Sequence, residues 1–167
     1  LNVVNYYREK LKLPVWVFGH SMGSVSVTEF ANGGKDQEKL IAGVIVAGTY
    51  QNAKGETLNE DLETLRIAST LVPDEVSLCP YVLDQPAAPH LVAMRQGLNL
   101  AMGVITEAFR NAQKHTEFVV VEGAGGFLIP LNDELDLSSF AKEINLPIIL
   151  VVGMKLGCIN HALLTYE

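Results

Sequence analysis

Four short apolar runs, at about residues 14–18, 41–47, 117–121 and 147–152, alternate with stretches of helical periodicity. Runs of that length, rich in Val and Ile and bounded by turn residues, read as buried strands. The helical patterns fall at about 1–11, 23–32, 60–69, 97–114, 137–144 and 158–166. Strands separated by helices need crossover connections, and crossovers make them parallel neighbours. The expected fold is therefore α/β: one three-layer domain over residues 1–167, with a mainly parallel sheet and helices on both faces. A turn is expected at Asn52-Ala53-Lys54-Gly55, and a long loop over 73–90, punctuated by Pro73, Pro80, Pro86 and Pro89.

The third run carries chemistry. Val119-Val120-Val121 ends in a carboxylate, Glu122, and then in Gly123-Ala124-Gly125-Gly126. Open α/β sheets place their ligands at the carboxyl edge, where Glu122 would sit. Glycines let backbone N–H groups approach an anion closely, and a carboxylate can hold a hard cation beside it. Phosphate together with magnesium fits that combination. A Gly-rich turn that merely reverses the chain fits it too.

Composition narrows the function classes. Hydrophobic residues make up 49% of the chain and charged residues 19%, a globular rather than disordered balance. The formal net charge is −7, and no basic stripe is present, which opposes a nucleic-acid partner. No apolar run is long enough to span a bilayer, so no membrane partner is expected. Two cysteines, Cys79 and Cys158, make no disulfide framework, and both read as small buried residues. A cytoplasmic setting follows as the expectation. The chain starts at Leu1 and stops at Glu167 within a helical pattern, so both ends read as cut and the fold as truncated.

Downstream, Leu146-Pro147-Ile148-Ile149-Leu150-Val151-Val152-Gly153 runs into Met154-Lys155-Leu156-Gly157-Cys158-Ile159-Asn160-His161-Ala162-Leu163-Leu164-Thr165. With the Val-Glu-Gly-Ala-Gly-Gly turn, this stretch resembles dethiobiotin synthetase. Asn59-Glu60-Asp61-Leu62-Glu63-Thr64-Leu65, Pro80-Tyr81 and Gln85-Pro86-Ala87-Ala88-Pro89-His90 fit as well, so the resemblance covers about residues 49–167. It implies a P-loop NTPase-like, Rossmann-like fold in a biotin-biosynthesis ligase. The implied reaction joins 7,8-diaminopelargonic acid and carbon dioxide at the cost of ATP. An amine becomes a carbamate, the carbamate is phosphorylated, and the second amine closes a cyclic urea. By the family pattern Asp61 and Glu122 match the two magnesium-binding carboxylates. Gly123, Ala124 and Gly125 match the backbone turn facing the nucleotide. Asn160 and His161 fall near the end that holds the substrate carboxylate, and the family forms homodimers.

The resemblance is incomplete. No Gly-x-x-x-x-Gly-Lys-Thr is present, and Gly43 and Ala47 stand where the family has a catalytic Lys and a substrate-binding hydroxyl. The chain alone is therefore expected to be inactive in ATP chemistry. Residues 1–48 resemble an α/β-hydrolase instead, through Gly19-His20-Ser21-Met22-Gly23, the nucleophile-elbow pattern. That makes the chain composite, a chimera with a seam near 46–50. Ser21 would be the catalytic residue of a serine esterase, or a relic of the elbow, since its base and acid partners would fall beyond the seam. Two site residues keep a second reading. Asp61 also suits a helix N-terminus, where acids complement the dipole, and His161 also suits packing. Asp133-Glu134 and Asp136 read as a solvated loop. No His or Cys spacing suggests zinc.

Overall fold

The computed structural model describes residues 15–19, 40–44, 46–48, 50–51, 57–58, 60–69, 77–116, 118–123 and 125–166. Among these, β1 (Val15–Gly19), β2 (Leu40–Val44), β3 (Val46–Gly48), β4 (Tyr50–Gln51) and β5 (Thr57–Leu58) precede the first described helix, α1 (Glu60–Ala68). Then come β6 (Tyr81–Leu83), α2 (Pro89–Gln96), α3 (Met102–His115), β7 (Phe118–Glu122), α4 (Leu137–Ile144), β8 (Ile148–Val151) and α5 (Cys158–Tyr166). The four apolar runs meet in one sheet of order β2-β7-β1-β8, and every pairing in it is parallel. β7 pairs with β2 from Leu40↔Phe118 to Val44↔Glu122.

The second run divides. Residues 40–44 join the main sheet, whereas β3 pairs in parallel with β6, a strand inside the expected Pro-rich loop. β4 and β5 pair antiparallel across the expected turn, whose own residues lie outside the described set.

The helix expected at 97–114 starts later, as α3 at Met102, and a separate helix, α2, occupies 89–96, beginning inside the expected Pro-rich loop. Gly97 takes φ +66 and closes α2: its N–H donates to the Met94 carbonyl at 3.2 Å, and the Leu98 N–H donates to Ala93 at 2.9 Å. This left-handed ending favours glycine. Pro89 opens α2 instead of breaking it, because the first helical N–H has no partner to lose. α3 starts without a side-chain cap on its own strand of sequence. The Tyr81 hydroxyl serves in its place, accepting the Ala101 N–H at 2.9 Å.

One face of β7 sets the main core. Val119 and Val121 belong to a cluster with Leu83, Val92, Leu100, Ile105, Phe109, Leu131, Leu137 and Phe140. Phe109 of α3 meets Phe140 of α4 edge to face, centroids 6.3 Å apart. Val120 is equally buried but lies outside that cluster, as strand alternation requires. Leu65 of α1 is likewise fully buried outside it, and α1 packs against β2.

Candidate functional site at the carboxyl edge of the sheet

Glu122 is the last residue of β7 and only 3% exposed. The period of two puts its side chain on the Val120 face, away from the main core cluster. Gly123 follows at once and is buried. Gly125 takes φ +80, a left-handed conformation that L side chains rarely adopt. Ala124, between them, lies outside the described residues.

The chain then folds back on itself before α4. Leu131 N–H donates to the Leu135 carbonyl at 2.8 Å, and Pro130 bridges Asp136. Asn132 Oδ1 accepts from the N–H groups of Glu134 (3.0 Å) and Leu135 (2.9 Å). Asp136 is not a solvated loop residue, as expected from sequence, but the N-cap of α4. Its Oδ1 accepts from Ser138 Oγ at 2.7 Å, Ser139 N at 3.0 Å and Ser139 Oγ at 3.2 Å. Partial burial pushes its carboxyl up, but these donors together outweigh that and hold it below the usual value.

The other candidate segment follows β8. Gly157 takes φ +91 and leads into α5, whose third and fourth residues are the exposed Asn160 and His161. An open cleft of about 370 Å³ lies between the end of β8 and α5, with Lys155, Cys158, His161 and Thr165 in its lining. His161 therefore borders a cavity, and Asn160 is not among its lining residues. Lys155, which lies between the end of β8 and the start of α5, is the cation of that lining. Cys158 and Cys79 are half-buried rather than fully buried and form no disulfide, and Cys79 Sγ donates to the Tyr81 carbonyl at 3.1 Å.

Asp61 lies in the first turn of α1 and is exposed. Leu65 is one helical turn further on, so Asp61 shares the face of α1 that carries this buried residue. Ser21 falls outside the described residues. Among the described residues, no group of three or more His, Cys, Asp or Glu side chains is gathered for a metal. A magnesium ion asks for less, because it keeps several waters and takes one or two protein carboxylates with phosphate oxygens. Glu122, a hard oxygen donor enclosed at the strand end, fits that requirement. No helix among the described residues is long and apolar enough to cross a membrane.

A family model described as an AAA domain matches residues 39–167, more than half of the chain. This chain belongs to the AAA domain family. The match spans β2 to α5, so both candidate strand ends lie within the AAA domain, and its members share an α/β nucleotide-binding fold. The chain is also similar to a protein of Ralstonia nicotianae called ATP-dependent dethiobiotin synthetase BioD. The two are 46% identical over 123 residues, 74% of this chain and 53% of that protein. A protein of the same name from Aromatoleum aromaticum is 49% identical over 122 residues, 73% of this chain and 54% of that protein. The chain thus spans about half the length of the curated relatives it matches.

Proposed function

We propose that this AAA-domain chain carries part of the site of a dethiobiotin synthetase, an ATP- and magnesium-dependent ligase closing a cyclic urea on 7,8-diaminopelargonic acid. The observation that carries the reading is Glu122: a buried carboxylate at the carboxyl end of a parallel strand, followed directly by glycine. The named relatives support it. In this reading Glu122 and Asp61 hold magnesium, which neutralises phosphate charge on ATP. Their placement supports the pairing: Glu122 shares the Val120 face of β7, Asp61 shares the Leu65 face of α1, and both buried neighbours lie outside the main cluster. Gly123, Ala124 and Gly125 lie beside the nucleotide and offer backbone N–H groups to it. Asn160 and His161 orient the substrate carboxylate. The layers complete the picture: α3 and α4 cover one face of the sheet, α1 the other, in one P-loop-like domain of a cytoplasmic homodimer. Residues 1–48 are a hydrolase-like sequence segment joined near 46–50, and Ser21 stands in its Gly-x-Ser-x-Gly motif.

The 167 residues contain no phosphate-loop lysine. Such a cation stabilises charge developing on the transferred phosphoryl group, and loss of one such partner costs about 100-fold to 1,000-fold. Ring closure by this chain on its own is therefore expected to stay at background, as is hydrolysis of a p-nitrophenyl ester. Metal binding is the direct test, with Mn²⁺ as a paramagnetic stand-in for Mg²⁺. Titration followed by electron paramagnetic resonance should show a site that Glu122→Gln weakens at least about 10-fold. Unchanged Mn²⁺ affinity in folded Glu122→Gln would remove the reading. Dethiobiotin formation lost on Glu122→Gln would overturn the expected inactivity, and ester hydrolysis lost on Ser21→Ala would restore the esterase.

A further inference from the structure

We infer that Ile129 is a positioning residue for the Gly-rich turn after Glu122, its side chain lying within van der Waals reach of the Cβ position of Gly125. The inference rests on the reading of that turn as the nucleotide-facing one. A Cβ built on Gly125 would meet Ile129 Cδ1 at 3.5 Å and Cγ1 at 3.8 Å. Gly125 therefore does two things at once. It adopts φ +80, and the side its Cβ would occupy faces the end of the Ile129 side chain.

Ile129 is itself held from behind. Its side chain packs on the main core cluster, and its carbonyl accepts the Leu137 N–H at 3.0 Å. Leu137 is the first residue of α4, fully buried, next to the Asp136 cap. The Pro130–Asp136 bridge closes the same loop one residue further along. A line of neighbours thus runs from the capped start of α4, through Ile129, to the Gly125 turn, three residues from Glu122. Glycine backbone left unsupported explores many conformations. A branched aliphatic chain anchored in the core limits that freedom without adding a polar group beside the ligand. Catalytic geometry depends on such support, because small displacements of the groups that touch ligand are costly.

The test uses the full chain, with amide hydrogen exchange by NMR and Mn²⁺ affinity as paired readouts. Ile129→Ala should speed exchange at Gly125 and Gly126 several-fold, leave the amides of α3 unchanged, and weaken Mn²⁺ binding about 10-fold. Ile129→Val, which drops the Cδ1 carbon nearest Gly125, should give an intermediate effect at the same two amides. If Ile129→Ala fails to fold, Ile129→Val decides on its own: faster exchange confined to Gly125 and Gly126 supports the inference. Exchange unchanged at both glycines, or accelerated equally across α3, overturns it and leaves Ile129 a plain core residue. Glu122→Gln separates the two levels. Mn²⁺ binding that ignores Glu122→Gln sinks the metal reading, while binding lost on Glu122→Gln but intact in Ile129→Ala sinks the positioning role alone.

Discussion

The ends of β7 and β8 are built from the same parts and finished differently. Each strand lies in the parallel sheet, and each is followed by a glycine at positive φ, Gly125 or Gly157. Each leads to a short helix, α4 or α5. α4 buries Leu137, Ser138, Phe140 and Ala141, whereas α5 has no buried residue at all. Met154, Leu156, Ile159 and Leu163 stand exposed around the β8 end, Met154 to 89%. Glu122 is enclosed; Asn160 and His161 are open. The difference teaches that a strand–turn–helix pattern fixes where a site residue sits, and only the packing behind it fixes how firmly. At the β7 end the described residues supply that packing. At the β8 end they do not.

Stability measurements can break that contrast. Phe140 is fully buried and in contact with Phe109, so Phe140→Ala should lose about 3–5 kcal/mol in denaturant titration. Leu163→Ala, on the exposed helix, should change stability by less than about 0.5 kcal/mol. Equal losses would erase the distinction between the two ends.

Asp136→Ala comes next, with a loss of about 0.5–2 kcal/mol expected for a capping residue. The pH dependence sharpens it. The folded carboxyl sits below its unfolded value, so its contribution is full above the unfolded pKa and disappears as pH falls through the folded one. The gap between wild type and Asp136→Ala should therefore be constant near neutrality and shrink below about pH 4. A gap that survives in strong acid would mean that charge plays no part in the cap.

The smallest effect belongs to Arg66. Its guanidinium reaches both oxygens of Glu63 at 2.7 and 2.9 Å, and the hydrogen bond draws the Glu63 carboxyl down from its usual value. Both side chains are solvent-exposed, so Arg66→Ala should leave the melting temperature unchanged. A clear drop would mean that this exposed ion pair contributes more than solvent screening allows.

Much of the fold was legible because local signals agreed. α4 matches its expected bounds, which its apolar stripe alone announces, whereas the capping role of Asp136 was hidden among neighbouring acids. β7 could be read from three valines ending at a carboxylate, and that also exposed Glu122 as a site candidate. What stayed hidden depended on partners distant in sequence. β6 is three residues long and exists by pairing with β3, so no periodicity announces it. α2 was masked by prolines read as loop punctuation, although Pro89 is at the one helical position that tolerates it. The split at 44–46 follows from two different partner strands, which apolar residues alone do not encode. For the site, the sequence named Glu122 but not Ile129, because an isoleucine three residues past a glycine run carries no chemical signature.

Asn132 leaves one more consequence. Its Nδ2 donates to the Leu100 carbonyl at 3.3 Å, while its Oδ1 shapes the loop ahead of α4. Leu100 immediately precedes the residue whose N–H meets the Tyr81 hydroxyl. The stretch from Glu122 to α4 is therefore not a cassette. An engineer grafting it onto another α/β scaffold would have to carry Leu100 and Tyr81 with it, or accept a loop with an orphaned amide and a new shape.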